Sequence, residues 1–440
     1  MIDFAKYHRR LDQANPIRVH GKVSEIIGLV VEGHGPAASI GELCGIFPGG
    51  MDKPLPAEVV GFKKGKVLLM PLKSIQGLGP GCKIISLGRK AGVNVGKTLL
   101  GRVIDGLGSP IDNKGPIECE GEYPIYAEPI NPLKRGRITE PVDLGIRALN
   151  GLLCCGKGQR MGIFAGSGVG KSILLGMIAR NTNADVNVIG LIGERGREVR
   201  EFLEKNLGEE GLARSVVVVA GSDMHPLIRM RAAYVATSIS EYFRDMGKDV
   251  LLMVDSLTRF AMAQREIGLS VGEPPATKGY TPSVFSLLPR LLERSGKLEA
   301  GGSITGLYTI LVEGDDFNEP ISDSARSILD GHVSLTRELA NRNHYPAIDV
   351  LQSVSRVMID IIDEGHRQMV GKIVNILASY RKAEDLINIG AYVHGSNPEI
   401  DYAIAMIDRI NRFLKQDINE KIDFQQTKLQ MQTLFETSAT

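Results

Sequence analysis

The sequence predicts an α/β protein in which a mostly parallel β-sheet forms the core, a small β-barrel precedes it, and an α-helical domain follows. Five apolar runs between residues 161 and 314 alternate with segments of helical periodicity, a pattern typical of a parallel sheet that helices cover on both faces. Short β-like runs separated by glycine and proline fill residues 17–89 and indicate the barrel. From residue 365 onward, apolar residues recur at helical spacing.

Composition excludes several classes of protein. At 440 residues the chain is longer than a single hydrophobic core usually accommodates, which predicts two or three domains. Its net charge of +1 argues against bulk nucleic-acid binding. No apolar run approaches the roughly 20 residues that cross a bilayer, and the N-terminus lacks the apolar centre of a signal peptide. The five cysteines match neither a disulfide framework nor a zinc site, and the eight histidines contain no His-Glu-x-x-His arrangement. We therefore expect a cytoplasmic protein without a transition metal.

The first two segments of the chain differ in their periodicity. Residues 1–16 are predicted to form a helix with Phe4, Tyr7 and Leu11 on one face, which is either solvated or docks on a partner or an anionic membrane surface. Residues 17–92 form the predicted barrel domain. Aromatic residues for base stacking are nearly absent there, which favours an assembly role over oligonucleotide binding.

Two further segments complete the chain. Residues 93–364 form the predicted phosphate-loop domain, in which a strand-and-turn segment (99–116) and a proline-spaced connector (123–141) precede the apolar runs. Residues 365–440 form the predicted helical domain.

The stretch Arg160–Arg180 carries the most specific local signal. An apolar run leads through small residues to Gly170-Lys171-Ser172, and helical periodicity follows, which is the context that a phosphate-binding loop requires. The backbone N–H groups and the helix N-terminus would cradle a polyphosphate, while Lys171 reaches the β and γ phosphates and Ser172 helps to hold Mg²⁺. Ala165 replaces the first glycine of the pattern and is small enough for a tight turn. The predicted cofactor-binding residues of this loop are Gly166, Ser167, Gly168, Val169, Gly170, Lys171 and Ser172.

Two acidic residues leave apolar runs and are expected at the edge of the sheet where ligands bind. Asp255 ends the run VLLMVD, and a carboxylate there can hold Mg²⁺ through its water shell; a helix cap or a turn is the alternative. Glu194 follows the run VNVIGLIG and can orient and deprotonate an attacking water. The alternative for Glu194 is a surface ion pair with Arg195 or Arg197.

Longer motifs make a family resemblance specific. Four stretches resemble, in this order, the α and β subunits of rotary ATP synthases: AGSGVGKS, LIGERGREV, LLMVDSLTRFAMAQREI and HYPAIDVLQSVSRVM. The stretches GEPPATKGYTPSVFSLLPRLLERSG and ILDGH are similar to the export ATPases of type III secretion systems. GAYVHGSNPEIDYAI looks more like the flagellar than the injectisome branch of those ATPases. The resemblance covers about residues 17–430 and implies a P-loop, RecA-like core.

The resemblance implies a homohexamer that hydrolyses ATP with Mg²⁺ at sites between subunits. At matching positions, Lys171 and Ser172 bind phosphate and magnesium, Glu194 is the catalytic carboxylate, and Asp255 holds the magnesium through water. A carboxylate at Glu194 favours a catalytic subunit over the α-like subunit, which typically lacks an acid there.

Five more residues gain a role only through the resemblance. Arg195 and Arg259 match arginines near the γ phosphate, and Arg356 matches the arginine that enters the site of the neighbouring subunit. Such an arginine typically contributes 10³–10⁵ in rate because it stabilises spread negative charge. Tyr345 matches the aromatic residue that stacks on adenine, and Gln264 is a candidate contact to water or phosphate.

The resemblance also implies partners and a location. The expected partners are stator and central-stalk proteins, an export gate at the membrane, and export substrates with their chaperones, without nucleic acid. The expected location is the cytoplasmic side of the inner membrane, at the secretion apparatus. The alternatives are an injectisome ATPase, a catalytic rotary-synthase subunit that needs a non-identical partner, an RNA motor of the transcription-termination type, and a nucleotide-binding scaffold without turnover.

Overall fold

The computed structural model describes residues 4, 19–49, 53–312, 316 and 319–436, so the predicted N-terminal helix falls outside the described residues except for Phe4. The chain divides into two compact units. The first runs to Gly92 and includes Glu266–Pro274, whereas the second comprises Val93–Arg265 and continues from Pro275.

The first unit contains a closed antiparallel barrel with the strand order β1-β2-β5-β4-β3-β6, in which β6 pairs with β1. Its strands are β1 (Gly21–Ile27), β2 (Val30–His34), β3 (Glu42–Phe47), β4 (Leu55–Lys63), β5 (Lys66–Pro71) and β6 (Lys83–Lys90). The first predicted run forms two strands because Gly28, at φ 57°, occupies a two-residue turn between them. Buried aliphatic side chains such as Val31 and Leu69 fill the interior.

The second unit is built on a nine-stranded sheet with the order β19-β18-β12-β17-β15-β13-β14-β8, to which β16 adds beside β17. All neighbouring strands are parallel except the pairs β18–β19 and β16–β17. The strands of this unit are β7 (Gly92–Val95, beginning at the last residue of the first unit), β8 (Arg102–Asp105), β9 (Gly121–Pro124), β10 (Pro141–Val142), β11 (Cys155–Gly156), β12 (Arg160–Ala165), β13 (Val186–Ile192), β14 (Ser215–Ala220), β15 (Asp249–Asp255), β16 (Gly296–Lys297), β17 (Ser303–Leu311), β18 (Gly331–Leu335) and β19 (Ile348–Ser355).

The five predicted apolar runs correspond to β12, β13, β14, β15 and β17, and the predicted fold class is confirmed. Four sheet members were not predicted as such, and one of them is the two-residue strand β16. β8 lies in the predicted strand-and-turn segment and pairs in parallel with β14. β18 and β19 form an antiparallel pair at one end of the strand order. The second half of β19 alternates between half-buried and exposed positions. Neither strand therefore has the continuous apolar run of a central parallel strand.

Helices cover the sheet and form the C-terminal region. They are α1 (Arg147–Leu152), α2 (Lys171–Asn181), α3 (Gly196–Glu201), α4 (Gly208–Ala213), α5 (Pro226–Asp245), α6 (Leu257–Ser270), α7 (Pro282–Leu292), α8 (Pro320–Ile328), α9 (Arg337–Asn341), α10 (Met358–Ile361), α11 (Glu364–Asn388), α12 (Pro398–Leu414) and α13 (Phe424–Thr433). A π-helical segment, Phe202–Leu207, connects α3 and α4. Among the described residues, no helix combines the length and the apolar character that crossing a membrane requires.

Buried Arg147 links the C-terminal helices to the sheet domain. From α1 its guanidinium donates to the Phe413 and Lys415 carbonyls and forms an ion pair with Glu420. Because these carbonyls lie at and just beyond the end of α12, the arginine satisfies groups that the helix itself cannot pair.

Candidate functional site

The candidate site lies at the carboxyl edge of the sheet. Leu191 and Asp255 are direct register partners on the adjacent strands β13 and β15. Glu194 follows the end of β13, and the loop after Ala165 leaves β12 at the same edge because β12, β17, β15 and β13 all run in parallel. The predicted acidic residues and the phosphate loop therefore meet where ligands bind in open α/β sheets.

The phosphate loop connects β12 to α2 through two glycines in left-handed conformations. Gly168 has φ 82° and Gly170 has φ 90°, a region that non-glycine residues enter only at a steric cost. Gly170 caps α2, so that Lys171 is the first residue of the helix. The N–H groups of this first turn have no intrahelical acceptor and can bind an anion.

Tyr345 lies beside this loop. A Cβ added to Gly170 would be 3.5 Å from both Cδ1 and Cε1 of the Tyr345 ring. Tyr345 is 40% exposed, and its backbone carbonyl accepts a hydrogen bond from the Gln416 N–H at 2.9 Å. The Tyr345 ring therefore packs against the phosphate loop.

Lys171 is placed between two carboxylates. Its Nζ lies 3.5 Å from Glu194 Oε1 and makes a closer contact with Asp255 Oδ1. All three side chains are largely buried, with exposed fractions of 11% for Lys171, 18% for Glu194 and 3% for Asp255. The contacts join residues that leave β12, β13 and β15, so they depend on the order of the strands in the sheet.

Burial and charge shift the pKa values in this group. Burial, followed by the negative charge of Asp255, raises the pKa of Glu194 from its ordinary 4.5 to about 7, against the opposing charge of Lys171. Burial alone would lower the pKa of Lys171, but the charges of Asp255 and Glu194 outweigh it and raise that pKa. A carboxyl group that titrates near neutral pH is well matched to accepting a proton from water.

Thr309 and Glu198 contact the acidic residues but were not identified from the sequence. The Thr309 hydroxyl, on β17, donates to Asp255 Oδ1 at 2.7 Å and fixes that carboxylate. A hydrogen bond with Glu194 lowers the pKa of Glu198, which lies in the first turn of α3. Thr309 sits inside an apolar run and Glu198 in a charged segment, so neither has a local sequence signal that marks it.

Arg259 packs against the residue before Glu194. A Cβ added to Gly193 would lie within 2.8–3.1 Å of Cβ, Cγ and Cδ of Arg259. The Arg259 Nε is buried, and it has no hydrogen-bond partner among the described residues. A buried guanidinium nitrogen without an acceptor is suited to an incoming anion, because an unsatisfied buried donor is costly.

Arg195 and Gln264 are not brought into contact with Lys171. The Arg195 side chain is 79% exposed, and its Nη1 lies 3.4 Å from Glu198 Oε1. Gln264 is buried and donates through Nε2 to the Ser283 hydroxyl at 2.9 Å. Their contacts to phosphate or water remain predictions.

Arg356 lies at the opposite edge of the sheet from Lys171. It follows β19, whose last residue Ser355 pairs with Gly331 at the start of β18. Because β18 runs parallel to β12, the start of β18 lies at the amino edge of the sheet, whereas the phosphate loop leaves from the carboxyl edge. Arg356 is exposed there, and it is not placed near the phosphate loop of its own subunit.

The chemistry of the side chains at the carboxyl edge fits a magnesium nucleotide. Ser172 is exposed in the first turn of α2. Asp255 supplies a buried carboxylate in contact with Lys171, the residue before Ser172. The described residues contain no cluster of three His, Cys, Asp or Glu side chains that could hold a metal by themselves. Mg²⁺ commonly binds through one or two protein groups together with water and substrate phosphates.

Three family profiles match the chain. The nucleotide-binding domain of the ATP synthase alpha/beta family matches residues 145–355, and the beta-barrel domain of the same family matches residues 23–88. The C-terminal domain of the T3SS EscN ATPase matches residues 362–433.

Curated relatives match over nearly their whole length. The flagellum-specific ATP synthase of Bacillus subtilis is 54% identical over 413 residues, which cover 93% of this chain and 94% of the relative. The type 3 secretion system ATPase of Xanthomonas euvesicatoria is 52% identical over 410 residues, which cover 93% of this chain and 92% of the relative.

Two solved structures share the fold. The assembled ATPase EscN of the enteropathogenic E. coli type III secretion system superposes with a TM-score of 0.89 at 46% identity, covering 94% of this chain and 99% of EscN. EscN in complex with its central stalk EscO gives a TM-score of 0.87 at 45% identity, with the same coverage of both chains.

Proposed function

Because this chain belongs to the ATP synthase alpha/beta family, among the flagellum-specific ATP synthases and type 3 secretion system ATPases, we propose that it hydrolyses ATP to assist flagellar type III protein export. The observation that carries the catalytic part is the buried group of Lys171, Glu194 and Asp255 at the carboxyl edge of the sheet. The similarity to both branches makes an injectisome ATPase the alternative assignment within the same activity.

The residues of one subunit would bind and orient the nucleotide. The N–H groups of the phosphate loop bind the phosphates, and Tyr345 stacks on the base. Lys171 gives up its contacts with Glu194 and Asp255 and binds the β and γ phosphates instead. The polyphosphate carries more negative charge than the two carboxylates that it replaces as the partner of Lys171. Mg²⁺, held by Ser172 and through water by Asp255, would neutralise charge that develops on the phosphates.

Glu194 would orient the attacking water and accept its proton. Its raised pKa favours this role because a base works best when its pKa lies near the working pH. Arg259, packed over Gly193, would then direct a guanidinium toward the γ phosphate. Arg195 near the γ phosphate and Gln264 as a contact to water or phosphate are further parts of this proposal.

We propose that Arg356 completes the site of a neighbouring subunit. Its position at the amino edge of the sheet, away from its own phosphate loop, supports a role in trans. Repeating this head-to-tail contact closes a ring, here a homohexamer. EscN, which this chain resembles, has been solved in assembled form.

The remaining partners follow from the proposed place in an export apparatus. A central stalk is proposed because EscN was solved in complex with the stalk EscO. Stator proteins, an export gate, and substrates with their chaperones are further proposals, with the protein at the cytoplasmic face of the inner membrane. We propose that a docking segment (1–16) and a barrel domain (17–92) serve assembly and that residues 93–364 hydrolyse ATP, with residues 365–440 as a separate helical domain.

Steady-state kinetics of purified variants test the catalytic assignment. Glu194→Gln should lower turnover by about 100-fold or more, because it keeps the shape of the side chain and removes the base, while nucleotide binding is retained. Lys171→Ala should lose both binding and turnover. Binding of a fluorescent ATP analogue separates the two classes of variant.

Glu204→Gln is the matched control for this experiment. Glu204 is exposed and pairs with Arg200 one helical turn away, so its substitution should leave the ATPase rate unchanged. Full hydrolysis by the Glu194→Gln protein would remove Glu194 from the mechanism. ATPase activity that appears only with a second, non-identical subunit would favour a rotary synthase.

A further inference from the structure

A reciprocal clamp joins the start of β12 to the turn before β18. The Arg160 guanidinium donates to both Asp330 carboxylate oxygens, through Nε to Oδ2 and through Nη2 to Oδ1, each at 3.0 Å. The Arg160 N–H also donates to Asp330 Oδ2 at 3.0 Å, and the Asp330 N–H donates back to the Arg160 carbonyl at 2.9 Å. The side chains are 13% and 25% exposed, so this bidentate pair is shielded from much of the solvent.

The clamped aspartate holds the backbone of Arg356. The Arg356 N–H donates to the Asp330 carbonyl at 3.0 Å, and the Arg356 guanidinium donates through Nη2 to the Arg326 carbonyl at 3.3 Å. Both anchors of Arg356 thus lie on the short segment from Arg326 to Asp330, at the end of α8 and just after it. The direction of the exposed guanidinium depends on where this segment sits.

Asp330 is remote from the phosphate loop of its own subunit. Arg160 is the first residue of β12 and Ala165 the last, which separates the clamp from the start of the loop by about 17 Å along an extended strand. Loss of the Asp330 charge should therefore disturb Arg356 more than the Lys171 site.

We infer that Asp330 is a positioning residue for the arginine that each subunit supplies to its neighbour. The inference rests on the proposed role of Arg356 in trans. Asp330 does not touch the nucleotide: it fixes the backbone from which the Arg356 guanidinium projects, and Arg160 fixes Asp330. A positioning defect of about 1 Å is enough to lower turnover by up to about 100-fold.

Rings assembled from two different variants show whether a substitution damages the phosphate loop of a subunit or the arginine that the subunit supplies to its neighbour. Lys171→Ala subunits lack a working phosphate loop but retain Arg356, whereas Arg356→Ala subunits have the opposite defect. When these two are mixed before assembly, about a quarter of the interfaces in a random ring combine an intact loop with an intact arginine. This mixture is the reference for the proposed function.

Asp330→Asn is expected to behave as an arginine-donor defect. Alone it should assemble, bind nucleotide and turn over about 10- to 100-fold more slowly than the unmodified chain. Mixed with Lys171→Ala subunits it should regain activity, because those subunits supply a well-placed Arg356. Mixed with Arg356→Ala subunits it should regain none, since no member of the ring then supplies that arginine correctly.

The outcomes separate failure of the inference from failure of the proposed function. If the Asp330→Asn chain is fully active, is rescued by Arg356→Ala subunits, or is rescued by neither partner, Asp330 is not a positioning residue for Arg356. If the reference mixture of Lys171→Ala with Arg356→Ala stays inactive in assembled rings, the role of Arg356 in trans is wrong and the inference fails with it.

Two further variants guard against a folding defect. Arg160→Lys retains the positive charge but replaces the fork of donors with one ammonium group, so it should show the same pattern of rescue. Asp360→Asn removes an exposed charge four residues after Arg356 and should match the unmodified chain alone and in mixtures. If the Asp360→Asn chain instead had the low activity of the Asp330→Asn chain and the same response to mixing, charge near Arg356 rather than the clamp would control the effect.

Discussion

At the scale of single residues, the central feature is a lysine held by two carboxylates. Lys171 lies against Asp255 and within 3.5 Å of Glu194, and Thr309 fixes the nearer carboxylate. The three charges leave one net negative charge in a largely buried group when all are ionised. That imbalance, together with burial, explains why the proton on Glu194 is held more tightly than in water.

The raised pKa of Glu194 predicts a pH-dependent stability in the nucleotide-free protein. Between its ordinary pKa of 4.5 and about 7, the folded chain holds a proton that the unfolded chain has released. The folded state then binds more protons, so the free energy of unfolding contributed by this group falls as the pH rises through that window. Glu194→Gln cannot titrate, and its thermal midpoint relative to the unmodified chain should rise from about pH 5 to about pH 8.

Differential scanning calorimetry across that pH range measures the difference. Glu204→Gln, which alters an exposed ion pair, should keep a constant difference from the unmodified chain. A Glu194→Gln difference that is also constant with pH would show that Glu194 titrates at its ordinary pKa.

At the scale of elements, the helix that follows the phosphate loop is held by a close backbone approach. Gly176 lies in the middle of α2, and a Cβ added there would be 2.6 Å from both Cβ and O of Asn206 in the π-helical segment Phe202–Leu207. The Arg180 guanidinium donates to the same Asn206 carbonyl. Both contacts hold α2, whose first residue is Lys171, against this segment.

Two helical glycines should respond in opposite directions to alanine. Gly176→Ala should lower the free energy of unfolding by about 1–3 kcal/mol, because the new methyl group meets backbone atoms that cannot turn aside. Gly371→Ala in α11 should raise it by up to about 1 kcal/mol, since alanine is the better helix former and no atom lies within 4 Å of the added Cβ.

Thermal unfolding of the two variants tests this pair. The Gly371→Ala protein serves as the control for helix propensity. A stabilised Gly176→Ala protein would show that α2 can move away from Asn206 without loss.

At the scale of the whole molecule, the sheet separates the two proposed halves of an ATP site. Lys171 and Glu194 belong to the carboxyl edge, and Arg356 belongs to the amino edge. One subunit therefore presents a nucleotide site on one edge and an arginine on the other. Such an arrangement favours activity that depends on assembly, because an isolated subunit cannot bring its own arginine to its own site.

The ATPase rate should consequently rise faster than linearly with protein concentration. Below the concentration at which rings form, the rate per subunit should be low, and it should reach a plateau once assembly is complete. Parallel light-scattering measurements report the assembled fraction at each concentration. A constant rate per subunit in samples that remain monomeric would contradict the proposed composite site.

The sequence was sufficient for the fold class and for placing the predicted phosphate loop, Glu194 and Asp255 at one edge of the sheet. These features depend on local patterns: apolar runs of strand length, glycines before a helix, and acids directly after buried strands. The family resemblance was also carried by short contiguous motifs and is confirmed by relatives that are more than 50% identical.

Only the tertiary structure decided which of these residues touch. Lys171 meets Glu194 and Asp255 across separations of 23 and 84 positions, and Thr309 joins them from another strand. The same strand arrangement placed Arg356 at the amino edge, away from Lys171. The physical reason is that a local period specifies which face of a strand is buried, whereas the order and direction of the strands arise from packing between segments distant along the chain.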